Sequence, residues 1–247
     1  MTFLTALAFL TRIPVGRSAS VEADGVARSA GWFPLIGVLL GATYVAAAAI
    51  LKPHLPAAAV AILLVAMDAL LTGALHFDGL ADTADGFGGG RDRDDILRIM
   101  RDHAIGSYGG VALAILVVLK VAAMSALLGV PNTRDWVVAI IATPTLGRWS
   151  ILLLTAALPY ARETASPATG MGKGSLVWGT LITVAQLVAT MSARAWIAAG
   201  VVAMVTAGFG AYDRKKIGGI TGDILGANLQ ICECAALLTF LWVGFPQ

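Results

Sequence analysis

Long apolar runs alternate with short polar connections along the whole chain. Seven windows (31–51, 56–76, 107–129, 136–158, 175–191, 195–212 and 224–245) approach the roughly 20 apolar residues that a bilayer-crossing helix needs at about 1.5 Å per residue. The windows 175–191 and 195–212 are the weakest, being short and rich in Gly or Thr. Formal charge enters the seven only at Asp68, Lys120, Arg148 and Glu233. The pattern predicts an all-α integral membrane protein. It would be one polytopic domain over residues 1–247, a bundle of about seven transmembrane helices, with six as the alternative count. The apolar start Met1–Leu10 has no positive stretch before it and no small-residue cleavage pattern after it. It reads as a short interfacial or re-entrant helix rather than a signal peptide.

Composition narrows the class. Of 247 residues 58% are hydrophobic and 13% charged, against about 25% charged in soluble domains, and the mean hydropathy is +0.82. So few charges cannot cover a water-facing surface, and so much apolar material excludes disorder. A net charge of +2 gives no electrostatic footprint for nucleic acid. The lipid bilayer is the partner that this composition demands. Cys232 and Cys234 stand in an apolar run and fit inert core thiols rather than a disulfide or a metal pair.

Orientation follows from where the bases fall. With the N-terminus in the cytoplasm, twelve of the 17 Lys and Arg lie in inside connections. Three (Lys52, Arg134 and Arg194) lie in outside ones, and Lys120 and Arg148 lie within spans. That asymmetry predicts the N-terminus inside and, with seven spans, the C-terminus outside. It also puts two stretches of unusual sequence, 77–106 and 213–233, on the same cytoplasmic face.

The first stretch opens with His76-Phe-Asp78-Gly-Leu-Ala-Asp82-Thr-Ala-Asp85-Gly86. If the second span continues as a helix to this point, Asp78, Asp82 and Asp85 share a stripe about 60° wide at roughly 100° per residue. Like charges at this spacing repel, and they would stand toward a helix C-terminus, where the macrodipole favours cations. A bound cation would relieve both conflicts. An all-carboxylate set suits Mg²⁺ or Mn²⁺ rather than zinc. The plainer reading is a solvated acidic helix end. His76 falls off the stripe and suits a hydrogen-bonding role. Asp68, about 15 Å deeper along the same helix, reads as a structural partner for a buried base.

Next comes Gly86-Phe-Gly-Gly-Gly90, followed by a short helix with Asp near its N-cap and the bases Arg91, Arg93, Arg98 and Arg101. Glycine N–H groups and guanidiniums together suit phosphate oxygens. A flexible loop with topology-setting cations is the plainer alternative. Ile96, Leu97, Ile99 and Met100 are expected to form an apolar stripe on the membrane surface.

In the second stretch, Gly222 and Gly226 form a small-xxx-small face for close helix approach. Asp223 at its border is the fourth carboxylate for the metal set. Asp223 and Gln230 share a helix face, and Glu233 lies about 15 Å further in, either protonated or paired with Lys120 or Arg148. Metal, guanidinium and glycine loops at one face of a helical bundle point to displacement at phosphorus.

With these residues in view, the chain resembles cobalamin synthase, the adenosylcobinamide-GDP ribazoletransferase family. The likeness runs through Phe9-Leu-Thr-Arg-Ile-Pro14, Trp32-Phe-Pro-Leu-Ile-Gly37, His76 to Gly86, Met100-Arg-Asp102 with Gly106, and Gly218 to Glu233. Arg101 stands where Lys is expected, His103 where a smaller residue is commoner, and Gln230 at a position open to a carboxylate. The resemblance implies a multi-pass enzyme of the bacterial inner membrane that carries out the last assembly step of vitamin B12. A hydroxyl of α-ribazole, or of its 5′-phosphate, would attack the cobinamide-side phosphorus of adenosylcobinamide-GDP, and GMP would leave. In this expectation Asp78, Asp82 and Asp85 hold Mg²⁺ (or Mn²⁺) against the diphosphate, and Asp223 completes the site or serves as base. Arg91, Arg93 or Arg101 balance leaving-group charge, with Asp102 and Gly222 beside the substrate. A homo-oligomer is left open.

Three other readings compete. A CDP-alcohol phosphotransferase needs Arg where Asp82 stands. An aspartate-rich prenyltransferase needs a second acidic motif that is missing. A transporter would place its charges at the midplane, whereas these acids gather at one face.

Overall fold

The structure, a computed structural model, describes residues 2–15, 22–102, 104–162 and 170–243. His103 lies outside the described residues, and so does the end of the window 224–245. In chain order the helices are α1 Thr2–Leu10, α2 Ala23–Ser29, α3 Phe33–Leu51, α4 Ala57–Thr72, α5 Leu75–Gly89, α6 Arg93–Ile99, α7 Ser107–Gly129, α8 Thr133–Ala157, α9 Lys173–Thr190, α10 Ala193–Ile217 and α11 Gly222–Trp242. The described residues contain no β-strand, only an isolated bridge between Tyr160 and Ile220.

Five segments are long and apolar enough to cross a bilayer: Ala23–Leu51, α7, α8, α10 and α11. The pair α4 and α5 makes a sixth if a run bent by 91° is one span. The expected window 175–191 is helical as α9 but is not among these segments. The protein is therefore a helical, multi-pass membrane protein by its apolar helices.

The centre of the bundle is α8 with α11, whose apolar windows are each 78% buried against 33% for α7 and α10. Helix α8 packs on α3, α10 and α11, and α11 also receives α5 and α7. Glycine permits the tightest of these contacts. A Cβ on Gly37 of α3 would lie 2.6 Å from the Thr145 Cα of α8, so only hydrogen fits.

The two ends of the bundle differ in kind. At one end Lys52 lies over the Trp136 ring at 4.5 Å, Arg134 donates to the Thr190 carbonyl at 2.9 Å, and Arg194 pairs with Asp135 at 3.1 Å. These are the three bases assigned to outside connections. At the other end α1, the α4–α5 bend, the segment before α9 and the start of α11 converge on one cavity.

Candidate active site

The straight helix expected through Asp78 does not occur. Helix α4 ends at Gly73 with φ +64°, followed by Ala74 at φ +57°. The Ala74 N–H donates back to the Ala69 carbonyl at 2.7 Å, a left-handed helix end that glycine accommodates without strain. The chain then turns into α5, so the acids begin a helix rather than end one. Asp78 falls in the first turn of α5, where the macrodipole favours a carboxylate. Along α5, Asp78 is exposed, Asp82 half-buried and Asp85 buried.

The three carboxylates consequently meet different partners. Asp85 accepts the Gly106 N–H at 2.7 Å and the Gly109 N–H at 2.8 Å, both at the start of α7. Those are amide groups that a helix leaves unpaired at its first turn. A Cβ on Gly106 or Gly109 would run into the Asp85 carboxylate.

Asp78 instead meets the second acidic stretch, because α5 and α11 cross at glycines. A Cβ on Gly79 would sit 2.7 Å from the Asp223 carbonyl oxygen, and one on Gly226 would sit 3.3 Å from the His76 Cα. The close approach thus uses Gly226 with Gly79. Gly222, expected to share that face, has open space around it and lines the cavity instead. This crossing sets Asp78 and Asp223 on one cavity of about 160 Å³, completed by His76 and by apolar groups that include Phe9, Phe33 and Met171. The Asp223 carboxylate accepts from Arg162 at 3.0 Å and from the Thr221 hydroxyl at 3.2 Å.

A wider hollow adjoins it, sharing Phe9, Leu75 and Asp78, and is lined also by Arg12. The Arg12 side chain lies against the hydrogen face of Gly73. Arg12 and Arg162 thus stand beside these acids, although in sequence both belong to the tally of inside bases and Arg12 also to the stretch Phe9 to Pro14, with no role at the site expected for either. Arg162 lies 61 residues from Asp223, and nothing local signals that pairing.

The other expected phosphate groups stand elsewhere. Gly86 to Gly89 form the last turn of α5 and not a loop. Their flat face receives α6: a Cβ on Gly86 would meet Met100 Cγ at 2.7 Å. Ile96, Leu97 and Met100 are buried there within the protein, not laid on the membrane surface. Arg93 donates to the Ile217 carbonyl at 3.1 Å and the Ala161 carbonyl at 2.6 Å, tying α6 to the end of α10 and to the segment after α8. Arg98 donates to Asp95 at 2.6 Å, and that hydrogen bond, with the Arg91 N–H, holds the Asp95 carboxyl below its usual range. Arg91 and Arg98 line a separate hollow. Arg101 is exposed, and Asp102 accepts the Ala104 N–H at 3.1 Å. Neither hollow at Asp78 includes Arg91, Arg93, Arg101, Asp102, Asp82 or Asp85 in its lining.

Behind the cavity runs a buried charge network. Tyr44 donates to Asp68 at 2.8 Å. Lys120 reaches Asp68 at 3.5 Å, Gln230 at 2.6 Å and Glu233 at 2.6 Å. Arg148 pairs with Glu233 at 3.0 Å. Two acids and two bases cancel, which is what lets them lie inside the bundle. Glu233 therefore pairs with both expected bases, and Asp68 is the partner of Lys120. Gln230 serves this network and not the cavity. Cys232 and Cys234 are buried and free.

Among the described residues, no three His, Cys, Asp or Glu side chains gather as a metal cage. The arrangement does fit Mg²⁺ in its usual form, held by one or two carboxylates with the remaining positions taken by substrate phosphates and water. Asp78 and Asp223 on one cavity supply two such carboxylates.

Two carboxylates and two guanidiniums gathered at one end of a bundle of apolar helices make a candidate site suited to a charged substrate in a multi-pass membrane protein. The family model for cobalamin-5-phosphate synthase matches residues 2–241, and the chain belongs to that family. It is 37% identical to the adenosylcobinamide-GDP ribazoletransferase of Rhizobium meliloti, over 94% of this chain and 92% of that protein. Its identity to the enzyme of that name from Azorhizobium caulinodans is 40%, covering 98% and 96% of the two chains. For that from Klebsiella pneumoniae it is 38%, covering 97% and 99%. No solved structure matches the chain.

Proposed function

We propose that this protein joins adenosylcobinamide-GDP to α-ribazole, or to α-ribazole 5′-phosphate, releasing GMP in the last assembly step of cobalamin biosynthesis. The observation that carries the reading is the meeting of Asp78 and Asp223 on one cavity in a chain that matches the family over residues 2–241. A hydroxyl oxygen of the acceptor forms a bond to the cobinamide-side phosphorus, and the bond from that phosphorus to the GMP oxygen breaks. The hydroxyl proton passes to a carboxylate, for which Asp223 is placed; its contacts with Arg162 and Thr221 fix its direction. Arg12 shares a hollow with Asp78 and Arg162 holds Asp223, so both guanidiniums are placed to offset charge on the diphosphate. Asp78, with the diphosphate, would hold Mg²⁺, which would supply neutralisation of the charge that builds on the phosphate oxygens.

The site faces the cytoplasm of a bacterial inner membrane. Seven spans result when α4 with α5 is one crossing and α9 another. Support comes from the excess of bases on that side and from the gathering of the three outside bases at the opposite end. Incubating purified protein with Mg²⁺, adenosylcobinamide-GDP and α-ribazole should release GMP in step with the cobalamin product. Folded protein that releases none would refute the reading.

A further inference from the structure

The cavity beside Asp78 and Asp223 is too small for a whole substrate. It measures about 160 Å³, whereas pockets that take drug-sized ligands run about 300–1,000 Å³. A dry cavity of about 150 Å³ lined by Leu, Ile and Phe holds a single benzene ring, so this one takes the outer ring of a fused bicycle with the other ring toward its mouth. Its inner wall is of that kind: Leu10, Phe33, Ile151 and Leu225 are all buried. Phe9 and Phe33 lie nearly parallel, 5.9 Å apart at 19°. Asp78 is exposed and Asp223 half-buried, so the carboxylates stand at the mouth. His76 is the one buried ionisable side chain in the lining.

We infer that this cavity binds the aromatic base of the nucleoside acceptor, dimethylbenzimidazole in α-ribazole, with the ribose at the mouth, where Asp223 meets its hydroxyl groups. The inference rests on the reaction proposed above and names the subsite for one of its two substrates. A corrin macrocycle is far larger than the cavity. Guanine fits by size, but its edge carries several donors and acceptors that would lose water without partners on this wall. Dimethylbenzimidazole carries two methyl groups on its outer edge and leaves one ring nitrogen unsubstituted, which His76 can face. Seating the base there also brings the ribose hydroxyls to Asp223, where the displacement takes place.

The test uses the full chain in detergent. Equilibrium dialysis, without the second substrate, compares α-ribazole with the riboside of unmethylated benzimidazole. The unmethylated compound should bind about 15-fold more weakly, the effect of leaving two methyl groups unburied. In turnover, Met171→Trp, which fills the cavity from the segment before α9, should raise the KM for α-ribazole about tenfold or more and leave that for adenosylcobinamide-GDP within about twofold. Equal affinity for the two ribosides overturns the inference. So does a KM increase confined to adenosylcobinamide-GDP, which would give the cavity to guanine. The dialysis needs no altered protein, so misfolding of the Trp variant leaves it decisive. Methyl-dependent binding without GMP release would refute the reaction and leave the subsite standing.

Discussion

At the scale of single residues, acids of one helix do separable jobs, and substitution should separate them. Asp78 is exposed at the cavity and holds nothing structural together. Asp78→Asn is therefore expected to leave thermal unfolding in detergent unchanged while lowering turnover more than about 100-fold, since a metal-bridged phosphate transfer depends on several kcal/mol of charge stabilisation. Asp85 satisfies two amide groups of α7. Asp85→Ala leaves both without a partner, at about 1–3 kcal/mol each, and should lower the melting temperature clearly before any active-site effect is considered. Turnover lost equally in both variants, with no difference in melting, would refute the division of roles. Asp82 stands half-buried one turn after Asp78, outside the cavity lining. Asp82→Asn is expected to remain folded in the membrane with almost no GMP release.

At the scale of elements, the site depends on how closely α5 and α11 approach. Gly79 touches the Asp223 backbone through its hydrogen face, and a methyl there would meet the carbonyl oxygen at 2.7 Å. Gly79→Ala should cost about 1–3 kcal/mol of stability and depress kcat, because separating the helices moves Asp78 from Asp223. Wild-type melting and kcat in that variant would show that the crossing does not set the site. The buried network makes a second element-scale prediction. Lys120→Met leaves Asp68 without its base and Glu233 with Arg148 alone, so it should destabilise the bundle by about 3–5 kcal/mol, read from equilibrium unfolding in mixed micelles.

Much of this level was legible in the sequence, because bilayer-crossing length and apolar continuity are local properties. The windows 107–129 and 136–158 lie close to α7 and α8, and Asp92 caps α6 as its position suggests. The bend was not legible. Gly73 is a common residue, and Ala74 at positive φ is an exception that no propensity announces. Once the helix turns there, the stripe geometry computed for a straight helix no longer applies. The glycines at 86–89 likewise read as a loop, because a glycine that serves as a flat packing face looks in sequence like a glycine that serves as a hinge. The meeting of Asp78 with Asp223 was legible, since both stretches flank apolar runs at the same end of the bundle, whereas Asp82 and Asp85 do not line that cavity. Arg162 and Arg12 reach the site only through the tertiary fold.

At the scale of the whole molecule, every group assigned to the chemistry lies at one end of the bundle, so the direction in which that end points decides where substrate enters. The orientation proposed from the base distribution directs it to the cytoplasm. The native thiols do not interfere with a labelling test, since Cys232 and Cys234 are both buried. Asn132, at the end with Lys52 and Arg134, and Asp94, at the end with the acids, are both exposed. In intact cells a membrane-impermeant maleimide should label Asn132→Cys and spare Asp94→Cys, and permeabilised cells should label both. The reverse pattern would place the diphosphate site outside the cell, away from cytoplasmic nucleotides, and would overturn the orientation. A reporter fused after Gln247 tests the crossing number independently. Seven crossings export it, whereas six leave it inside with the N-terminus. A cytoplasmic reporter together with labelling at Asn132 would keep Asp78 on the cytoplasmic side and remove a crossing after α8, where α9 is the helix that is not among the long apolar segments. The bent pair matters most, because on the proposed orientation α4 would enter the membrane from the side opposite the site and α5, turned by 91°, would carry its acids along the cytoplasmic border.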